Sequence, residues 1–225
     1  MTMKILLWDV DGTLLDFDIY EKAAFKKACE LHKVPFSESL YGRYHQINQE
    51  LWRQHELGFV EREELIYLRF QRLFEEQNIL CSPKRFEDTY QFELGEGCHY
   101  MEHAVEILEY LKGKYRMYVV TNGVEETQRK KIHTAHIDEY MEELFISGVI
   151  GFQKPRKEFF EACFSRIEGF HREECMIIGD SLTSDMKGGI QAGIHTCWFN
   201  PGLKKNEGYP VDREIHSLLE LKNFL

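Results

Sequence analysis

Residues 5–13 read Ile-Leu-Leu-Trp-Asp-Val-Asp-Gly-Thr, an apolar run that ends in two aspartates and a glycine. A short, continuous apolar run is typical of a strand buried on both faces of a parallel sheet. Side chains two apart in an extended chain point the same way, so Asp9 and Asp11 can face one substrate atom, while Gly12 permits a sharp turn. Ligands of open α/β sheets bind at such strand ends. The pattern favours a nucleophile with an acid/base partner, although alone it also fits an ordinary aspartate-rich turn.

Four later apolar runs have a similar short length and lie at residues 117–120, 144–150, 176–178 and 196–199. Amphipathic segments of helical length alternate with them, at residues 104–111, 125–136, 158–167 and 185–192. Such alternation is typical of a doubly wound, mostly parallel sheet. The sequence therefore predicts an α/β fold with a Rossmann-like core.

The stretch between residues 18 and 95 has a different pattern, because its apolar residues recur at helical spacing and no run suggests a strand. Breaks are expected at residues 34–35, at Gly58 and at residues 82–83. The predicted helices span residues 20–32, 38–57, 62–77 and 83–94. We therefore predict a catalytic core of residues 1–16 and 96–225 with an inserted α-helical cap domain of residues 17–95.

Polar residues follow two of the later strands. Thr121 and Asn122 end the second strand just before a helix, where a hydroxyl and backbone N–H groups can bind phosphate. Lys154 follows the third strand and precedes a proline, which favours an extended backbone. Its ammonium could neutralise charge on a nucleophile and on a transferring phosphoryl group. The ordinary alternatives are an Asn-Gly turn and a solvated surface lysine.

Two more aspartates follow the fourth strand. Asp180 stands in a Gly-Asp-Ser sequence, and Asp185 lies just inside the next helix. Four carboxylates at one sheet edge repel each other unless a hard cation lies among them, and oxygen ligands suit Mg²⁺. We expect Asp180 to be a direct ligand. Asp185 could instead interact with the dipole of its helix.

In this order along the chain, the four elements resemble the motifs of the haloacid dehalogenase-like hydrolase superfamily. The resemblance implies that Asp9 is the nucleophile and Asp11 the general acid/base. It further implies that Thr121 and Lys154 contact the phosphate, and we include Asn122 beside them. The implied Mg²⁺ site comprises Asp9, Asp11 through its main-chain carbonyl, Asp180, and Asp185 directly or through water. The helical insert resembles the type I cap of that superfamily.

A narrower resemblance, to pyrimidine nucleoside 5'-monophosphate phosphatases, extends along almost the whole chain. It rests on Asn48-x-x-Leu51-Trp52, on Thr127-Gln128, and on residues 188–193 and 196–200. It implies a phosphatase for nucleoside 5'-monophosphates. Since Asn48 and Trp52 lie four apart on one helix face, we expect the indole to stack on a base and the amide to hydrogen-bond to it.

Other functions fit the same motifs. A sugar-phosphate or phosphoglycolate phosphatase, a phosphomutase and a haloacid dehalogenase would share the nucleophile. Dehalogenation needs no acid at Asp11, which argues against the last of these. A non-catalytic module that binds Mg²⁺ or phosphate would leave the acids and Lys154 without use.

The composition narrows the range of partners. A formal net charge of −10 argues against binding to nucleic-acid polymers or membrane surfaces, because both require basic patches. A small phosphorylated metabolite is the expected partner, and the chain is expected to be a monomer or a homodimer. The six scattered cysteines are typical of reduced thiols, and no signal peptide is recognised, so a cytoplasmic location is expected.

Overall fold

The computed structural model describes residues 3–225, which divide into two compact units. One unit contains the residues up to Phe17 together with Cys98–Leu225, and the other is Asp18–Gly97. The first unit holds the whole sheet, whereas the second is helical.

Within residues 3–225, the sheet of the first unit has six strands, all of them parallel. The strands are β1 (Ile5–Trp8), β2 (Arg116–Thr121), β3 (Glu143–Ile146), β4 (Cys175–Gly179), β5 (His195–Phe199) and β6 (Arg213–Ile215). Their order across the sheet is β3-β2-β1-β4-β5-β6, which confirms the predicted Rossmann-like fold. Because β1 pairs with β2 on one side and with β4 on the other, the residues that follow these three strands meet at one sheet edge.

Nine α-helices surround the sheet or form the second unit, within residues 3–225. They are α1 (Phe17–Leu31), α2 (Glu38–Glu56), α3 (Arg62–Gln77), α4 (Pro83–Glu96), α5 (Ala104–Leu111), α6 (Glu125–Thr134), α7 (Ser147–Ile150), α8 (Lys157–Phe164) and α9 (Lys187–Ala192). A π-helical turn at Leu182–Met186 precedes α9. Short 3-10 turns lie at Ile137–Tyr140, Arg172–Glu174 and Leu218–Asn223. Within residues 3–225, no helix has the length and hydropathy needed to cross a membrane.

Two details of the sheet differ from the predicted pattern. The apolar run at 144–150 covers all of β3 except Glu143 and also the single turn α7, which ends at Gly151 with a φ of +85°. Hydrophobicity alone does not separate a short buried strand from a buried helical turn. The edge strand β6 was not predicted, because only Ile215 of its three residues is buried.

The main core of the first unit lies against one face of the sheet. Ile5 and Leu7 of β1 pack there with Phe159 and Phe160 of α8 and with Trp198 of β5. Since side chains alternate along a strand, Leu6 and Trp8 face the other side, and both are fully buried. Complete burial of such side chains contributes about 1.5–3 kcal/mol each. This burial on both faces holds β1 in the centre of the sheet.

Local signals define the helices of the second unit. Ser37 caps α2 by accepting a hydrogen bond from the Leu40 N–H at 3.1 Å. Asn78 ends α3 in the left-handed conformation with a φ of +53°. Ser82 caps α4, and Pro83 occupies its first turn. Two of the predicted breaks lie at such ends: residues 82–83 begin α4, and Gly58, whose φ is +79°, follows α2.

The helical unit has an aromatic core. The ring of Phe25 stacks on that of Tyr44 with centroids 4.7 Å apart, and Tyr44 stacks on Phe70 at 5.1 Å. The ring centroids of Phe86 and Phe70 are 4.8 Å apart. All four side chains are buried. Aromatic pairs of this kind contribute about 0.5–1.5 kcal/mol beyond the burial of area.

A buried chain of polar groups crosses the same core. The Arg69 guanidinium donates to both carboxylate oxygens of Glu87, at 2.8 and 2.9 Å, and to the Asn48 side-chain oxygen at 3.0 Å. The Asn48 amide in turn donates to Glu21 at 2.8 Å. Since these four side chains are at most 2% exposed, each depends on its neighbours in place of water.

Arg69→Ala should lower the free energy of unfolding by about 3–5 kcal/mol, because it leaves a buried carboxylate without its ion partner. The matched control is Arg43→Ala. Arg43 forms an equally close pair with Glu76, but these side chains are 39% and 40% exposed. The control should lose about 0–1 kcal/mol. Urea denaturation followed by circular dichroism measures both losses, and equal losses would contradict the role given to burial.

Candidate active site

The first catalytic segment begins where β1 ends. The Asp9 N–H donates to the Ile178 carbonyl at 3.0 Å, and the Thr13 hydroxyl donates to Oδ2 of Asp9 at 3.2 Å. The chain then turns at Gly12, whose φ is +90°. A Cβ at Gly12 would lie 2.8 Å from Oδ2 of Asp180, so only glycine fits both the conformation and the space. The segment thus presents a buried carboxylate that a neighbouring hydroxyl orients.

Lys154 connects the motifs. Its ammonium donates to Oδ1 of Asp9 and to Oδ1 of Asp185, both at 2.7 Å, and to the Val120 carbonyl at 2.8 Å. The side chain is 2% exposed. The alternative of a solvated surface lysine is therefore wrong. The structure brings Lys154 together with two of the predicted acids.

Thr121 and Asn122 end β2 in two different environments. Thr121 is buried, and its hydroxyl accepts a hydrogen bond from the Gly123 N–H at 3.2 Å. Asn122 instead holds the backbone of Lys154, because its oxygen accepts from the Lys154 N–H at 2.8 Å and its amide donates to the Lys154 carbonyl at 2.9 Å. The Asn122 side chain therefore holds the lysine in position, and a phosphate contact of Asn122 stays a prediction.

The segment after β4 contributes two aspartates. Asp185 lies in the π-helical turn and is 1% exposed, and its Oδ2 accepts from the Ser181 N–H at 3.1 Å. A Cβ at Gly179 would lie 2.3 Å from that same oxygen, which explains the glycine before Asp180. Because Asp185 turns back onto Lys154 and Ser181, its role is not that of a simple acid at a helix start.

Three carboxylates lie close enough to one another to hold a single metal ion. Asp9, Asp180 and Asp185 each offer an oxygen within 4.8 Å of the others. Together with the ammonium of Lys154, the group carries an excess of negative charge that a hard divalent cation can balance. Oxygen-only donors fit Mg²⁺, as predicted. The Asp11 carboxylate is outside this group, which leaves only its main-chain carbonyl for the predicted metal contact.

Burial and charge perturb the ionisation of these groups. Burial raises the pKa of Asp9, Lys154 lowers it and Asp185 raises it, with a net value of about 7. Burial, together with the charges of Asp9 and Asp185, raises the pKa of Asp180 well above its usual range. For Lys154, burial lowers the pKa, but the two carboxylates outweigh it and raise the pKa. The environment therefore disfavours the ionised forms of Asp9 and Asp180.

Two residues of α6 hold the Asp11 carboxylate, and the sequence analysis gave neither of them a role in the site. Gln128 donates to Oδ2 of Asp11 at 2.7 Å, and the Lys131 ammonium donates to Oδ1. Lys131 belongs to a basic run, residues 129–131, that looks like a solvated helix face. The signal that could have found both residues is their spacing of three, which places them on one helix face with buried Ile132 beside them.

The two predicted substrate-contacting residues of the cap, Asn48 and Trp52, lie in different environments. Asn48 is 2% exposed, and both ends of its amide bond to Glu21 and Arg69 inside the helical unit. The predicted substrate contact of Asn48 is therefore wrong, because its side chain belongs to the internal polar network. Trp52 is partly exposed, and its ring lies edge-on to His55 with centroids 5.6 Å apart. Its contact with a substrate stays a prediction.

The raised pKa of Asp9 predicts how the stability of the metal-free protein depends on pH. Aspartates of an unfolded chain titrate at about pH 4, so Asp9 binds its proton more tightly in the folded protein than in the unfolded chain. The contribution of Asp9 is then most favourable below about pH 4 and is lost as the pH rises to about 7. In chelator, Asp9→Asn should therefore gain stability relative to wild type between about pH 5 and about pH 8.

Urea denaturation across that pH range measures the gain. Asp88→Asn, which changes an exposed aspartate, is the control and should run parallel to wild type. A constant difference between Asp9→Asn and wild type would contradict the raised pKa.

Known proteins are similar to this chain along most or all of its length. The model of the haloacid dehalogenase-like hydrolase family matches residues 3–193. The HAD-hydrolase YfnB of Bacillus subtilis is 38% identical over 99% of this chain and 95% of its own length. Its crystal structure, which is bound to magnesium, superposes with a TM-score of 0.95 over 99% of this chain and 98% of that one.

Two further relatives are named as pyrimidine 5'-nucleotidases. PynA of Streptococcus pneumoniae is 35% identical over 100% of this chain and 96% of its own length. YjjG of Escherichia coli is 27% identical over 98% of this chain and 96% of its own. The region matched by the family model spans every strand-end residue of the site described above, from Asp9 to Asp185. The chain therefore belongs to the haloacid dehalogenase-like hydrolases.

Proposed function

We propose that the protein is a Mg²⁺-dependent phosphatase of small phosphomonoesters in which Asp9 forms an aspartyl-phosphate. The observation that carries the proposal is the buried ammonium of Lys154, bound to Asp9 and Asp185 at 2.7 Å beside the Asp180 carboxylate. A nucleophilic carboxylate with adjacent positive charge suits attack on an anionic ester.

In the first half-reaction, an oxygen of Asp9 attacks phosphorus and the bond from phosphorus to the ester oxygen breaks. The leaving oxygen keeps the electron pair of that bond and takes a proton from Asp11. In the second half-reaction, water attacks phosphorus and gives its proton to Asp11. The bond to Asp9 then breaks, which releases phosphate and restores both carboxyl groups.

Lys154 and the carboxylates have different electrostatic roles in the reaction. The ammonium lowers the negative charge around Asp9 and can stabilise charge on the phosphoryl oxygens. Asp9, Asp180 and Asp185, with the Asp11 main-chain carbonyl, are the residues that would hold Mg²⁺. When bound, that ion supplies positive charge for the phosphoryl group and for the crowded acids.

The substrate we propose is a nucleoside 5'-monophosphate. Two relatives that match nearly the whole chain, PynA and YjjG, are named as pyrimidine 5'-nucleotidases, which supports this choice. Asp11 argues against dehalogenation, because a halide leaving group needs no proton donor. A sugar-phosphate or phosphoglycolate phosphatase would use the same residues and is separated by the substrate alone.

Purified protein with Mg²⁺ should release phosphate from nucleoside 5'-monophosphates, and Asp9→Asn should lower turnover by about 10⁴-fold or more because the nucleophile is lost. A phosphate-release assay measures both, with Asp88→Asn as the matched control at an exposed aspartate.

Removing the metal with a chelator should stop turnover, and added Mg²⁺ should restore it. Near wild-type activity of Asp9→Asn would contradict the mechanism. Faster turnover of sugar phosphates or phosphoglycolate would contradict only the substrate.

A further inference from the structure

We propose that Lys131, supported by Gln128, is a positioning residue that holds the Asp11 carboxylate in place for proton transfer. The inference rests on the proposed function, because it assigns a partner to the acid/base of that reaction. It concerns residues of α6, a helix that carries none of the predicted catalytic groups.

The burial of Lys131 is the first observation. Its side chain is 0% exposed, while Arg129, two residues earlier on the same helix, is 50% exposed and pairs with Glu125 at the surface. A buried ammonium is costly unless it is paired, so a lysine at this place needs a carboxylate. The Lys131 ammonium donates to Oδ1 of Asp11 and lies 6.0 Å from the centroid of the Phe17 ring. Burial also lowers the pKa of Lys131, an effect that Asp11 opposes.

Gln128 supplies the second observation. Its amide donates to the other oxygen of Asp11 at 2.7 Å, so the two oxygens are held by residues three apart on one helix face. A Cβ at Gly123 would lie 1.9 Å from that amide nitrogen. Gly123 follows β2, and its missing side chain makes room for the amide that reaches Asp11. The turn after β2 is therefore shaped to accommodate this contact.

Two donors on a rigid helix restrict the rotation of the Asp11 carboxyl group at the end of its strand. The Asp11 side chain is still 25% exposed, so it stays accessible to a leaving group or to water. A carboxylate has about four acceptor positions, and it can accept these bonds while it exchanges a proton elsewhere. Restricting a catalytic group to its reactive orientation is a recognised source of rate enhancement.

The dependence on the leaving group tests this role. An alkoxide from a nucleoside monophosphate needs the proton of Asp11, whereas p-nitrophenolate leaves without much assistance. The parameter kcat/KM covers the steps up to release of that group. Lys131→Met should therefore lower kcat/KM by about 100-fold for the nucleotide and by less than about 10-fold for p-nitrophenyl phosphate. Gln128→Met should shift the ratio of the two values in the same direction by a smaller factor.

The ratio for two substrates on one enzyme preparation does not depend on the fraction of folded protein, so a partly unfolded variant still gives an answer. Lys131→Arg keeps a cationic donor and should restore most of the ratio, and Arg129→Met, the control on the same helix, should leave it at the wild-type value. Equal losses on both esters, or an unchanged ratio in Lys131→Met, would overturn the positioning role. Wild-type protein that hydrolyses neither ester with Mg²⁺ would overturn the proposed function itself, and this role with it.

Discussion

One buried ammonium organises the active site. The Lys154 side chain donates to Asp9, to Asp185 and to the carbonyl of Val120, and so joins the end of β1, the end of β2 and the turn after β4. In the absence of that charge, the carboxylates would repel each other where little water can screen them. Asn122 holds the lysine backbone from both sides, which fixes the position of the ammonium. The sheet topology brings the strand ends together, and Lys154 makes their acids compatible.

The balance of charge around Lys154 connects stability with chemistry. One ammonium does not balance three carboxylates, and burial, together with the neighbouring charge of Asp185, raises the pKa of Asp9 to about 7. In the proposed reaction the same excess of negative charge favours a divalent cation, so a site that is unfavourable for the metal-free fold suits phosphoryl transfer. The helical unit also buries charge, but there Arg69 neutralises Glu87, and Asn48 hydrogen-bonds to both Arg69 and Glu21.

Much of the fold and of the site follows from local sequence. β1 was predicted at its observed bounds because a continuous apolar run is bordered by charged residues, and Asp9 and Asp180 were placed correctly because each directly follows a buried strand. Residues whose role depends on packing between elements were not predictable in this way. Helical spacing placed Asn48 on a face but did not tell whether that face meets a substrate or another helix. Lys131 stands in a basic run, where only its helical spacing from Gln128 and its apolar neighbour Ile132 suggest a buried face.

In the proposed reaction, Asp9 carries the phosphoryl group during turnover. The most direct measurement is to mix the enzyme with substrate and Mg²⁺, quench in acid during turnover, and locate the phosphoryl group by mass spectrometry of the peptides. We expect one added phosphoryl group on the peptide that contains Asp9, removed by hydroxylamine as an acyl phosphate should be, and none in Asp9→Asn. Turnover without any covalent phosphoenzyme, or a phosphoryl group on a different residue, would contradict it.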